Sequence, residues 1–223
     1  MAPYRLPLFP LTVVVFPGTP QPLHIFEPRY RRLLQDCLAG NRRFGITLPG
    51  EKSEAPEPGA VGCAVEIGAS EELPDGRSNI LVVGRRRFVV RQLIPGSAPY
   101  HVGLVEEFDD DPASAPGPTL LGDLRAAFLD YYRTVRLLHD AEPDEPELPA
   151  QAVPLSFQIA AALECELELK QRLLATRSTG HRIEALLRLL PTLTAAAEAA
   201  LRVHRRAHRN GRGGAHSVFP SDL

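Results

Sequence analysis

Leu6-Pro-Leu-Phe-Pro-Leu11, Thr12-Val-Val-Val-Phe-Pro-Gly18 and Pro22-Leu-His-Ile-Phe-Glu-Pro-Arg-Tyr30 decide how the rest of this 223-residue chain is read. Pro7 and Pro10 lack amide hydrogens and exclude a helix, so they predict an extended lead-in to the β-branched run Thr12 to Phe16, which is expected to be a strand. Pro17-Gly18 signals a turn, Pro20 and Pro22 keep the chain extended, and Pro28 suits the first turn of a helix. In that helix Tyr30, Leu33, Leu34, Cys37 and Leu38 recur at threes and fours on one face. Arg29, Arg31, Arg32, Gln35 and Asp36 cover the other face, and Gly40 follows as a stop. Glu27 stands where a carboxylate meets the partial positive charge of free helix amides.

Outward from this stretch, short strands are expected. Arg42 to Leu48 reads as one, and a polar loop, 49–59, leads to Val61, Cys63, Val65, Ile67 and Ala69, which alternate with small or polar residues. Pro74-Asp75-Gly76 turns the chain back. Asn79 to Val83 and Phe88 to Ile94 are apolar runs separated by Gly84 and Arg85 to Arg87, which predicts two strands meeting at a bulge or bend. Tyr100, Val102 and Leu104 supply a further strand. About six strands on short turns, with one inserted helix, suggest a small closed or half-closed β-barrel over 1–108.

An acidic, proline-rich boundary, 109–118, then separates this lobe from a helical one over 119–209, so the fold class is α+β. One long amphipathic helix carries Leu120, Leu121, Leu124, Phe128, Tyr131, Tyr132, Val135 and Leu138. Leu155, Ile159 and Leu163 mark another, 167–175 a third, and Ser178 or Thr179 can cap a last one that Pro191 should kink or restart. The tail, 210–223, has the composition of a disordered segment.

With 44% hydrophobic residues the chain can bury a core, and a net charge of -2 gives no overall field for nucleic acid or acidic membranes. Cys37, Cys63 and Cys165 are too far apart for a metal knuckle and read as buried free thiols. Prolines break the first hydrophobic run, no stretch has the length of a membrane span, and a cytoplasmic location is expected.

The residues for phosphate or peptide-bond chemistry are missing. The only two lysines, Lys52 and Lys170, follow Glu51 and Leu169, so neither ends a glycine-rich phosphate loop. His24 and Glu27 invite a metal or acid–base reading, but no third ligand is near, and a hydrogen-bonded structural histidine is favoured. No catalytic residue, metal ligand or cofactor site is assigned. Arg85, Arg86 and Arg87, and the set Arg202, Arg205, Arg206, Arg209 and Arg212 with His204 and His208, are basic patches. Base-stacking aromatics are not interleaved with them, and nucleic acid is not the expected partner.

The opening stretch resembles the Lon substrate-binding domain, the N-terminal domain of ATP-dependent Lon proteases. Arg43-Phe44-Gly45-Ile46, Val61-Gly62-Cys63-Ala64, Leu73-Pro74-Asp75-Gly76-Arg77, Asn79-Ile80-Leu81-Val82-Val83-Gly84 and Glu168-Leu169-Lys170-Gln171-Arg172-Leu173-Leu174 continue the likeness. The resemblance implies a freestanding form without ATPase or protease domains, a PUA-like barrel over 1–108 followed by a helical bundle, and a non-enzymatic role in binding unfolded or extended polypeptide. Leu8, Phe9, Phe16, His24, Phe26 and Tyr30 are the candidate lining of an apolar groove, although the stripe Leu6, Leu8, Phe9, Phe16, Phe26 and Tyr30 fits a core equally well. Alternatives are RNA binding, since PUA-like barrels occur in RNA-modifying proteins, and an adaptor that docks on an AAA+ protease.

Overall fold

The computed structural model describes residues 2–114, 116–142 and 144–209; the tail read as disordered lies outside the described residues. Among these are six strands, β1 (Tyr4–Pro10), β2 (Pro20–Ile25), β3 (Arg43–Thr47), β4 (Val61–Glu72), β5 (Ser78–Leu93) and β6 (His101–Phe108). Five α-helices accompany them: α1 (Pro28–Ala39), α2 (Pro118–Leu138), α3 (Ala152–Ala162), α4 (Leu167–Ala175) and α5 (Thr179–Arg209). By their contacts the described residues divide into two compact units, one within 1–117 with 148–186 and the other within 118–147 with 187–209.

The strand expected at Thr12 to Phe16 falls elsewhere. Tyr4 to Pro10 pairs antiparallel with β6 and parallel with β3, whereas residues 12–16 pair with no strand among the described residues, although Val14, Val15 and Phe16 are buried. β-Branched side chains favour burial on a pleated surface, but a strand also needs a neighbour for its amides, and the neighbours lie beside Tyr4 to Pro10.

The sheet is mixed, in the order β2-β5-β4-β3-β1-β6, and its long strand β5 also pairs with β6. The closed barrel is not what forms. Residues 78–83 of β5 pair with β2, residues 87–93 of the same strand pair with β6, and among the described residues β2 has β5 as its single strand neighbour. The sheet therefore curls back on itself at one end and keeps a free edge at the other. The junction is one continuous 16-residue strand with a register shift beside Arg85. The extra residue there switches which side chains face inward.

Two clusters occupy opposite faces. Leu6, Leu8, Ala64, Phe88, Val90 and Val105 form one, where close approach excludes side chains: a Cβ on Gly62 would lie 2.5 Å from the Ile46 carbonyl oxygen and 2.6 Å from Phe88 Cζ. The other joins Phe9, Phe44, Ile46, Cys63, Val65, Ile67, Ile80 and Val82 to the face of α1 formed by Tyr30, Leu33, Leu34 and Cys37. α1 starts with Pro28 at its first position and ends at Gly40, whose N–H donates to the Cys37 carbonyl. Glu27 is the N-cap but makes no side-chain cap; its carboxylate instead accepts from Arg29 at 2.8 and 3.0 Å.

In the first unit, a buried ion cluster pins the chain that follows β6. Arg87, on β5, and Arg182, on α5, both donate to Asp110, and Thr179 Oγ1 donates to it at 2.5 Å. Arg87 also donates to the Leu174 and Thr176 carbonyls, and Arg182 to Thr176 and to Ser156 Oγ. Arg182 lies 4.0 Å from the centre of the Phe157 ring. Two guanidiniums on one carboxylate leave a net positive charge, which these carbonyls and ring faces absorb. Burial raises the Asp110 pKa, but hydrogen bonds from Arg182 and Thr179 and the charges of both arginines outweigh it and hold the carboxyl below its usual range.

In the second unit, Leu124, Phe128, Tyr131 and Thr134 on α2 and Leu190, Thr194, Ala197 and Leu201 on α5 are the buried faces. His204 Nε2 lies 2.9 Å from Asp140 Oδ2. α5 runs through Pro191 as a single helix, its start capped by Ser178 Oγ, which accepts from the His181 amide.

Candidate functional site

Of the six residues expected to line a groove, four are interior. Leu8 and Phe16 are fully buried, and the buried rings of Phe9 and Tyr30 pack at a 33° tilt with centroids 3.9 Å apart. The Tyr30 hydroxyl leaves the core to donate to Glu54 at 2.7 Å; burial first, then this bond, raises its pKa. His24 and Phe26 remain at the surface, and Phe26 is 59% exposed.

These two belong to a face that cross-strand pairing builds. The registers place Pro22 beside Leu81 and Leu81 beside Ala69, then His24 beside Asn79 and Asn79 beside Glu71. Alternation sends Ile25, Ile80 and Val82 to the opposite face, into the α1 cluster. Pro22, Leu81, Ala69, His24, Asn79 and Glu71 therefore share one uncovered face of the β2–β5–β4 ribbon, around a shallow groove of about 560 Å³. Leu81, a β-strand leucine, is 42% exposed there. Phe26, just beyond β2, stacks on His24 with centroids 6.1 Å apart and planes 26° apart.

The polar part of this face is ordered. His24 Nδ1 lies 2.8 Å from Asn79 Oδ1, and Arg77 Nη1 lies 3.4 Å from His24 Nε2. Since the amide oxygen only accepts and the guanidinium only donates, the arrangement suits the Nδ1–H tautomer. Asp75 holds Arg77 in turn, accepting from its Nε at 2.6 Å and its amide at 3.0 Å. Gly76, at φ +78°, supplies the left-handed residue that the β4–β5 turn needs. His24 is thus a hydrogen-bonded member of a sheet face, and Glu27 belongs to a separate ion pair.

Pro22, Leu81, Ala69, Asn79 and Glu71 went unremarked as site residues in the sequence. The available signal was that Pro22 and His24 are two apart in an extended segment and so share a face; which residues of β5 join them depends on register.

The arginine triplet is engaged. Arg85 Nε pairs with Glu66 at 3.2 Å, Arg86 with Glu107 at 2.8 Å and Asp109 at 2.6 Å, and Arg87 with Asp110. Near the end of α5, Arg202 lies 3.9 Å from Glu198. The side chains of His208, Arg209 and Arg212 lie outside the described residues. Lys170 Nζ donates to the Ala161 carbonyl at 3.2 Å. Cys37 and Cys63 are buried free thiols, and burial pushes both up to about 12. Cys165 is half-buried. No helix among the described residues is long and apolar enough to cross a membrane.

A curled mixed sheet with one helix on one face and further helices following in the chain defines an α+β fold. Residues 5–192 match the ATP-dependent protease La (LON) substrate-binding domain, and the chain belongs to that family. It is 31% identical over 196 residues to a Lon protease of Roseiflexus castenholzii, covering 84% of this chain and 24% of that protein. It is 29% identical over 193 residues to Lon protease 1 of Syntrophobacter fumaroxidans, covering 83% of this chain and 23% of that one. The chain thus spans about a quarter of the length of these relatives. Among solved structures, a Lon N-terminal domain protein from Xanthomonas campestris superposes with a TM-score of 0.60 at 26% identity, over 82% of this chain and 97% of that one. The N-terminal domain of Mycobacterium avium complex Lon protease shares the fold, with a TM-score of 0.57 at 17% identity over 86% and 98% of the two chains.

Proposed function

We propose that this chain recognises unfolded or extended polypeptide without catalysing a reaction on it, and that the uncovered face of the β2–β5–β4 ribbon is where it does so. One observation carries the reading: Pro22, Leu81 and Phe26 present apolar surface to solvent on a single connected face, in a chain of the LON substrate-binding domain family. Burying that surface against a client's apolar side chains supplies affinity without demanding a fixed client sequence. In this reading residues 1–108, with their PUA-like character, form the recognition part. The helical residues 119–209 are bundle-like in this reading, with 148–186 grouped with the strands in one compact unit. Partnership with an AAA+ protease is part of the same proposal, motivated by relatives that are Lon proteases.

Nucleic acid has less support, because Arg85, Arg86 and Arg87 are each held by a carboxylate. The test is binding of a reduced, alkylated unfolded protein across a salt series. We expect affinity that survives added salt and falls at least several-fold in Leu81→Ser/Phe26→Ser, with no ATPase or caseinolytic turnover. A steep salt slope with RNA, together with no binding of the unfolded protein, would overturn it.

A further inference from the structure

Resting on that polypeptide reading, we infer that the occupant of the ribbon face is an extended segment carrying a basic side chain beside an apolar one, and that it lies across the face instead of adding a strand to β2.

Charge motivates the first half. Glu71 lines the groove next to Asn79. It is exposed and has no ion-pair partner among the described residues. Arg77, on the adjoining turn, is held by Asp75, and Arg85, farther along β5, by Glu66. Arg31 reaches the turn at Gly76 from α1, which packs on the opposite face of the sheet. The groove therefore joins apolar surface at Pro22 and Leu81 to unneutralised carboxylate. A lysine or arginine can lay its methylene stem on the first and bring its charged head to the second.

The backbone of β2 motivates the second half. β2 ends the strand order, so among the described residues no strand pairs with its second edge. Pro20 pairs with Val83 and Pro22 with Leu81, and neither proline can exchange an N–H with its partner. They occupy the non-hydrogen-bonded positions of the ladder, where N and O point away from β5, and His24 falls in the same alternation. That edge thus presents carbonyls at 20 and 22, the second already accepting from Gln21 Nε2 at 3.0 Å, and a single N–H at 24. An incoming strand would find acceptors without the matching donors, which is how natural sheets discourage edge pairing. Side-chain recognition on the face remains.

The experiment uses the full chain and three fluorescein-labelled decapeptides with the same apolar residues: one with flanking lysines, one with glutamates in their place, and the lysine peptide with alternate backbone amides N-methylated. At low ionic strength we expect the lysine peptide to bind about five-fold more tightly than the glutamate peptide. N-methylation should change affinity less than about two-fold, because no donors to β2 are used. Glu71→Lys should reverse the order of the first two peptides. Equal affinities, loss on N-methylation, or an order unchanged by Glu71→Lys, with the unfolded protein still bound, overturns the inference and leaves the polypeptide reading standing. Failure of the peptides and the unfolded protein alike to bind overturns both.

Discussion

The two halves of β5 are both rich in apolar residues and meet opposite fates. Residues 87–93 run between β4 and β6, where Phe88 and Val90 enter a closed cluster and Arg87 is buried among carbonyls and a carboxylate. Residues 78–83 run between β4 and β2, with one face on α1 and the other, at Leu81, bare. An apolar residue in a strand is therefore no guide to whether it is core or contact surface. What covers it decides, and here cover depends on which strand takes the second edge of β5.

Mutations can break this contrast. The largest effect is expected at the closed half: Asp110→Ala leaves two buried guanidiniums facing each other and should cost about 3–5 kcal/mol, read from denaturant midpoints. Since the Asp110 pKa is lowered in the fold, its contribution is complete above the ordinary carboxylate value of about 4. That contribution fades as pH falls from there through the lower folded value, so the wild-type advantage over Asp110→Asn should shrink with acidification. Unchanged stability of Asp110→Ala at neutral pH would refute the cluster's role.

Next comes Gly62→Ala, whose methyl would meet the Ile46 carbonyl and the Phe88 ring; overpacking of this kind costs about 1–3 kcal/mol. A thermal melt matching wild type would mean that the closed half is slacker than it looks. Glu27→Ala should cost less than about 1 kcal/mol, because it removes a half-exposed pair with Arg29 and no helix cap. A larger loss would restore the capping role that its position at the helix start suggests.

The smallest stability effect should come from the open half. Leu81→Ser should leave unfolding within about 0.5 kcal/mol of wild type, while weakening the unfolded client. Should it destabilise the chain like a core leucine, the face is covered in solution and the contrast between the halves dissolves.

Local physics was legible in the sequence. Proline at the first turn, the Tyr30–Leu33–Leu34–Cys37 face and the stop at Gly40 prescribe α1, because each acts within a few residues. The turn at Asp75-Gly76 and the break near Arg85 were legible for the same reason. So was the family, through motifs spread along most of the chain. Pairing was not legible. Thr12 to Phe16 has the side chains of a strand and no partner, while Tyr4 to Pro10, with two prolines, has two partners. Likewise nothing near Arg182 announces that it shares Asp110 with Arg87, and nothing near Leu8 or Leu81 says that one is core and the other surface. Propensity, capping and turn geometry are settled by neighbours in the chain. Register, ion-pair choice and exposure are settled by groups tens of residues away, so only the tertiary structure could decide them.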